Sequence, residues 1–83
     1  MKLKVRFFAL YRERAGTAEE ALDLPQGSTV SHLIQEIRMR HPSLAPLEVD
    51  IVVAVNAEYA GGDTLLSEGD EVALIPPVSG GTV

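Results

Sequence analysis

The chain has 83 residues, 46% of them hydrophobic, with a formal net charge of −5 and no cysteine. That length holds one domain with one core, and a domain of this size buries only about 60% of the surface its unfolded chain exposes. Composition excludes disulfides, thiolate metal sites and thiol nucleophiles, and the acidic balance argues against nucleic acid and anionic membrane as partners.

The amino-terminal segment alternates from Lys2 to Ala9, with Leu3, Val5, Phe7 and Ala9 on one face and Lys2, Lys4, Arg6 and Phe8 on the other. This predicts a half-buried strand. "LYRER" before Gly16 allows one helical turn with glycine as its stop, and Leu22 and Leu24 flanking Asp23 predict a second strand. Thr29 is placed to cap a helix carrying Val30, Leu33, Ile34 and Ile37 on one stripe, ending near His41 because Pro42 disfavours helical backbone before it. Burying four such side chains yields roughly 6–12 kcal/mol, whereas ordering about a dozen backbone residues costs roughly 12–24. The helix therefore needs a sheet to lie across.

"PSLAPLEVD" reads as an irregular connection pinned by Leu44 and Leu47, followed by a strand over Ile51 to Val55. That aliphatic run is too short to span a bilayer. Turn chemistry at Asn56 to Glu58 and at Gly61 to Asp63 surrounds Tyr59, "SEGDE" forms another turn, and Val72 and Leu74 open a last strand. Pro76 and Pro77 lack amide donors, so the strand leaves its ladder there. These features divide the chain into a domain over residues 1–77 and a mobile glycine-containing tail over 78–83. The brief apolar stretch of "MKLKVRFFALYR" is closed by Arg12 without a small-residue cleavage site, so no signal peptide and a cytoplasmic location are expected.

Candidate chemistry is sparse. His32 and His41 lack metal-ligand spacing, so no metal site is expected and both are taken as exposed helix residues. Glu19, Glu20, Glu68, Asp70 and Glu71 read as solvated surface. Ser28, Ser31, Ser67 and Ser79 have no nucleophile elbow, and "GGD" and "SGG" lack the helix and lysine of a phosphate loop. Lys2, Lys4 and Arg6 could meet an acidic partner or simply protect a sheet surface. Three apolar residues stand out of phase: Phe8 and Ile75 against their strands, and Tyr59 in a polar turn region. Together they suggest one exposed patch for a partner.

"KVRFFALYRERAG", "TVSHLI", "VAVN" and above all "EGDEVALIPPVSGG" resemble the small, sulfur-carrying subunit of molybdopterin synthase, over nearly the whole chain. The resemblance implies an α+β fold of the ubiquitin-like β-grasp type, a mixed sheet curled around one main helix. It implies a carrier that is not itself an enzyme and holds no permanent cofactor. A dedicated activating enzyme would use ATP to adenylate the carboxylate of Gly81, and sulfur would replace the adenylate to give a thiocarboxylate. Pro77, Val78, Ser79 and Gly80 would then lead Gly81 into the large synthase subunit, in a heterotetramer, where sulfur passes to cyclic pyranopterin monophosphate. Phe8, Tyr59 and Ile75 would form the partner interface.

The family's tail stops at the second glycine, whereas Thr82 and Val83 follow here. Processing, residues added for expression, or divergence away from the chemistry would each account for them. A carrier for another sulfur pathway such as thiamine synthesis, a ubiquitin-like modifier joined to lysine, and an interaction module remain alternatives.

Overall fold

The structure is a computed structural model that describes residues 1–77. Alternation from Lys2 produces β1 (Lys2–Phe7), in which Leu3, Val5 and Phe7 are buried and the residues between them exposed. The strand stops two residues earlier than its alternation suggests. Ala9 takes a φ of 49°, which turns the backbone into α1 (Ala9–Ala15) and leaves Ala9 exposed rather than inward. Gly16 ends α1 at a φ of 78°, its N–H donating to the carbonyl of Arg12, a left-handed conformation that glycine adopts without steric cost.

β2 (Glu19–Asp23) returns antiparallel to β1, pairing Leu3 with Leu22 and Val5 with Glu20. α2 (Val30–Arg40) starts at Thr29, whose side chain accepts from the His32 N–H while the His32 ring accepts from the Thr29 N–H. This reciprocal cap satisfies two donors at the helix start, with histidine in the place usually held by glutamate or glutamine. Val30, Leu33 and Ile37 are buried and Ile34 half-buried. Burial of the first three contributes roughly 5–9 kcal/mol.

β3 (Val52–Val55), β4 (Glu58–Ala60) and β5 (Glu71–Ile75) complete a five-stranded sheet in the order β2-β1-β5-β3-β4. β1 and β5 run parallel at the centre, and the other neighbours are antiparallel. The sheet is therefore mixed and covered on its inner face by α2, the β-grasp arrangement. Tyr59 belongs to β4, not to a turn: Asn56 and Ala57 at φ of 50° and 73° make a two-residue hairpin that pairs Ala54 with Tyr59.

The loop after β4 is tied to the start of α2. The Ser31 N–H donates to the Gly62 carbonyl and the Val30 N–H to that of Thr64. A Cβ at Gly62 would meet the Ser31 hydroxyl, which would have to turn aside. Between α2 and β3, Leu44 and Ala45 are buried, but Leu47 is 85% exposed and pins nothing. Guanidinium groups do that work. Arg38 Nη1 donates to the carbonyls of Ala45 and Pro46 at 3.2 and 3.3 Å, Arg38 Nη2 to that of Val49 at 2.6 Å, and Arg14 Nη1 to that of Leu44 at 2.9 Å.

Candidate functional site

Residues paired across neighbouring strands share a face, so register alone assembles the outer surface of the sheet. One row runs Arg6, Ala73, Ala54, Tyr59. In the next, Ile75 pairs with Val52, and Phe8, two residues beyond Arg6 with its backbone still extended, lies at the end of β1 where Ile75 follows Leu74. Phe8 is 39% and Tyr59 79% exposed, with Ile75 half-buried between its neighbours. The structure thus places Phe8, Tyr59 and Ile75 on one face.

Val52, exposed on the same face beside half-buried Ala73 and buried Ala54, extends the patch and was not among the sequence candidates. In "IVVAV" every position is apolar, so alternation gives no signal there. Arg6 borders the patch with its guanidinium carbon 5.4 Å from the centre of the Phe8 ring, and it bonds Glu71 at 3.0 Å. Lys4 approaches Glu19 at 3.8 Å. The basic side of β1 is therefore partly neutralised on its own sheet.

The chain leaves the sheet at the Phe8 end, because β5 runs parallel to β1 and Ile75 precedes Pro76 and Pro77. Both prolines line a cavity of about 230 Å³ with Leu10, Tyr11, Ala45 and Val49. Pro77 is the last described residue; Val78, Ser79, Gly80, Gly81, Thr82 and Val83 lie outside the described residues.

Comparison with known proteins bears on this arrangement. Residues 5–81 match the ThiS family, a span that closes on Gly81 and leaves Thr82 and Val83 beyond it. The chain belongs to the ThiS family. It is 42% identical to the human molybdopterin synthase sulfur carrier subunit, covering 96% of this chain and 94% of that protein. A molybdopterin converting factor subunit 1 homologue from Pyrococcus furiosus superposes with a TM-score of 0.83 at 38% identity, over 94% of this chain and 99% of the other. The small archaeal modifier protein 1 of Haloferax volcanii superposes with a TM-score of 0.82 at 29% identity, over 93% and 98%.

In this ThiS-family chain the remaining polar candidates serve the scaffold. Glu20, opposite Val5, lies on the inner face at the sheet edge rather than in solvent. Its carboxylate meets His41 Nε2 at 2.7 Å and Arg40 Nη1 at 2.9 Å. Burial alone would raise its pKa, but the His41 and Arg40 hydrogen bonds outweigh that and hold it below the usual glutamate value. His41 is half-buried, not exposed, and packs edge-on against Phe7 with ring centres 5.5 Å apart. His32 is spent on the helix cap.

Asp70 is likewise structural. Its two oxygens accept from Asn56 Nδ2 at 2.9 Å and the Ser67 N–H at 2.8 Å, while the Glu71 N–H donates to Asn56 Oδ1 at 3.0 Å. Glu68 accepts from the Lys2 N–H. "VAVN" and "EGDEV" are thus two halves of one hydrogen-bonded turn. Among the described residues no group of three histidine or carboxylate side chains is placed to hold a metal ion, and no helix is long and apolar enough to cross a membrane.

Proposed function

We propose that this chain is the sulfur-carrier subunit of a molybdopterin synthase, with Gly81 as the carrying residue. One observation supports it above the others: the family match spans the domain and ends on Gly81, while Pro76 and Pro77, the last described residues, leave the sheet at the Phe8 end of its apolar outer face. The carrier contributes a reactive terminus and a docking face, and its partners contribute catalysis.

The chemistry begins when a Gly81 carboxylate oxygen attacks the α-phosphorus of ATP in an activating enzyme and pyrophosphate leaves. Hydrosulfide supplied as the sulfur source then attacks the acyl carbon, the bond from that carbon to the AMP oxygen breaks, a proton is released, and a thiocarboxylate remains. In the large subunit this sulfur passes to cyclic pyranopterin monophosphate. Glycine suits both steps because, without a Cβ, it allows close approach to the reacting carbonyl. Phe8, Tyr59 and Ile75 anchor the partner, since aromatic and apolar side chains in a desolvated patch carry most of an interface's binding energy.

Thr82 and Val83 must be removed first. With them present Gly81 bears a peptide carbonyl and has no carboxylate of its own to adenylate. The test compares the 83-residue chain with one ending at Gly81, each given activating enzyme, ATP and a sulfur donor. The expected result is pyrophosphate release and a sulfur-for-oxygen mass gain in the shorter chain alone. Equal activation of both removes the need for processing, and failure of both with an enzyme active on another carrier removes the carrier reading. The likeness to an archaeal modifier protein favours a second reading, attachment to lysine, which lysine-linked adducts in cells would establish.

A further inference from the structure

The sheet edge beside α2 is left open at one point by the path of the chain. Backbone groups along a strand point alternately to its two neighbours. The Asn56 N–H donates to the Glu71 carbonyl on the β5 side, so Val55, Val53 and Ile51 direct theirs to the β4 side. Glu58 and Ala60 pair with Val55 and Val53. Opposite Ile51, β4 has already ended, because the Ser31 and Val30 N–H groups hold the Gly62 and Thr64 carbonyls against α2. Among the described residues no main-chain hydrogen bond reaches the Ile51 N–H or carbonyl. Ile51 is 8% exposed, and peptide groups so far out of water are normally paired. They border a groove of about 680 Å³ between the start of β3 and α2, with half-buried Ile34 and exposed Gln35 on its helix side. Val52 and Tyr59 form the opposite rim, and both belong to the apolar outer face.

We propose that this groove receives an extended segment of the large synthase subunit, which continues the line of β4 and exchanges backbone hydrogen bonds with Ile51. This rests on the carrier reading and on its outer-face docking patch. β4 itself cannot reach Ile51 without breaking the Ser31 and Val30 bonds. A second copy of the chain is disfavoured by a net charge of −5 on each molecule and by Asp50 at the groove. The large subunit is favoured by continuity: a partner seated on Val52 and Tyr59 already stands at the groove's rim. Strand addition at a sheet edge draws affinity from main-chain bonds and specificity from the alternate side chains. Ile34 offers an apolar floor for one of those side chains.

Calorimetry measures binding of the full 83-residue chain to the large subunit, with the chain ending at Gly81 beside it, and circular dichroism confirms that each variant is folded. Gln35→Trp places a bulky ring in the groove and is expected to weaken binding about 10-fold. Met39→Trp, on the same helix but outside the groove lining, should leave binding within about twofold. Amide hydrogen exchange followed by NMR should show the Ile51 N–H slowed about 10-fold or more in the complex. Equal binding by Gln35→Trp and the unsubstituted chain overturns the proposal, as does Ile51 exchange at one rate free and bound. A concentration-dependent dimer of the chain alone that slows Ile51 exchange assigns the groove to a second copy and also overturns it. Should Gln35→Trp fail to fold, the exchange measurement decides. If neither length of the unsubstituted chain binds the large subunit, the carrier reading falls and this inference with it.

Discussion

Phe7 and Phe8 are adjacent and chemically identical, yet Phe7 is 2% and Phe8 39% exposed. The same contrast holds for the whole sheet. On the inner face Val5, Val72, Leu74 and Val53 meet α2 and are sealed. On the outer face of the same sheet Val52 and Tyr59 are exposed and Ile75 half-buried. The inner face spends its apolar area on folding, whereas the outer face keeps its own for association. An exposed side chain in an otherwise regular strand is thus informative when its neighbours across the ladder are exposed and apolar too.

The largest effect is expected inside. Phe7→Ala should lower unfolding free energy by about 3–5 kcal/mol, measured by urea denaturation, with loss of the His41 edge contact included. A cost near that of a surface change would break the contrast between the faces. Phe8→Asp should do the reverse: partner binding weakened by about 2 kcal/mol or more, read by calorimetry with the large subunit, and stability changed by only about 0.5 kcal/mol. A collapse of stability would make Phe8 a core residue.

A smaller effect sharpens the comparison at the hairpin that presents Tyr59. Ala57 holds a φ of 73°, which costs an L-residue about 1–2 kcal/mol and costs glycine almost nothing. After glycine's greater entropy loss on folding, Ala57→Gly should stabilise by about 0.5–1 kcal/mol, visible as a higher Tm without altered binding. The smallest concerns Glu20, the carboxylate on the inner face. Its folded pKa is lowered, so its contribution is present above the ordinary glutamate value of 4.5 and is lost as pH falls through the folded value. Glu20→Gln should therefore flatten the fall of Tm below pH 4.5 while lowering Tm modestly at neutral pH. Parallel acid profiles would show that the His41 and Arg40 bonds carry no such linkage.

Much of this contrast was legible in the sequence, because periodicity reports which side of an element is wet. Leu3, Val5 and Phe7 announced the inner face, Thr29 the helix start, and Phe8 and Ile75 the outer patch. Periodicity fails where the backbone leaves regular geometry or where polar atoms do the holding. Alternation ran on through Ala9, which in fact turns at positive φ. Leu47 looked like an anchor because it is apolar, but carbonyls gripped by Arg38 hold that segment, and hydrogen bonds to backbone leave no pattern in residue type. β4 is three residues long, too short to separate Tyr59 from the turns beside it.

β5 is the latest strand in sequence and occupies the middle of the sheet, between β1 and β3. A growing polypeptide that has not reached Glu71 therefore has only two strand pairs to form, β1 with β2 and β3 with β4, and they share no ladder. Closing the sheet requires long-range pairing, the slow class of folding event, and it requires the residues just before Pro76. A molecule cut short before Glu71 lacks the strand that joins the two pairs as well as the glycines beyond it. The order of strands makes completion of the fold a check that the segment leading to the chemistry has been made.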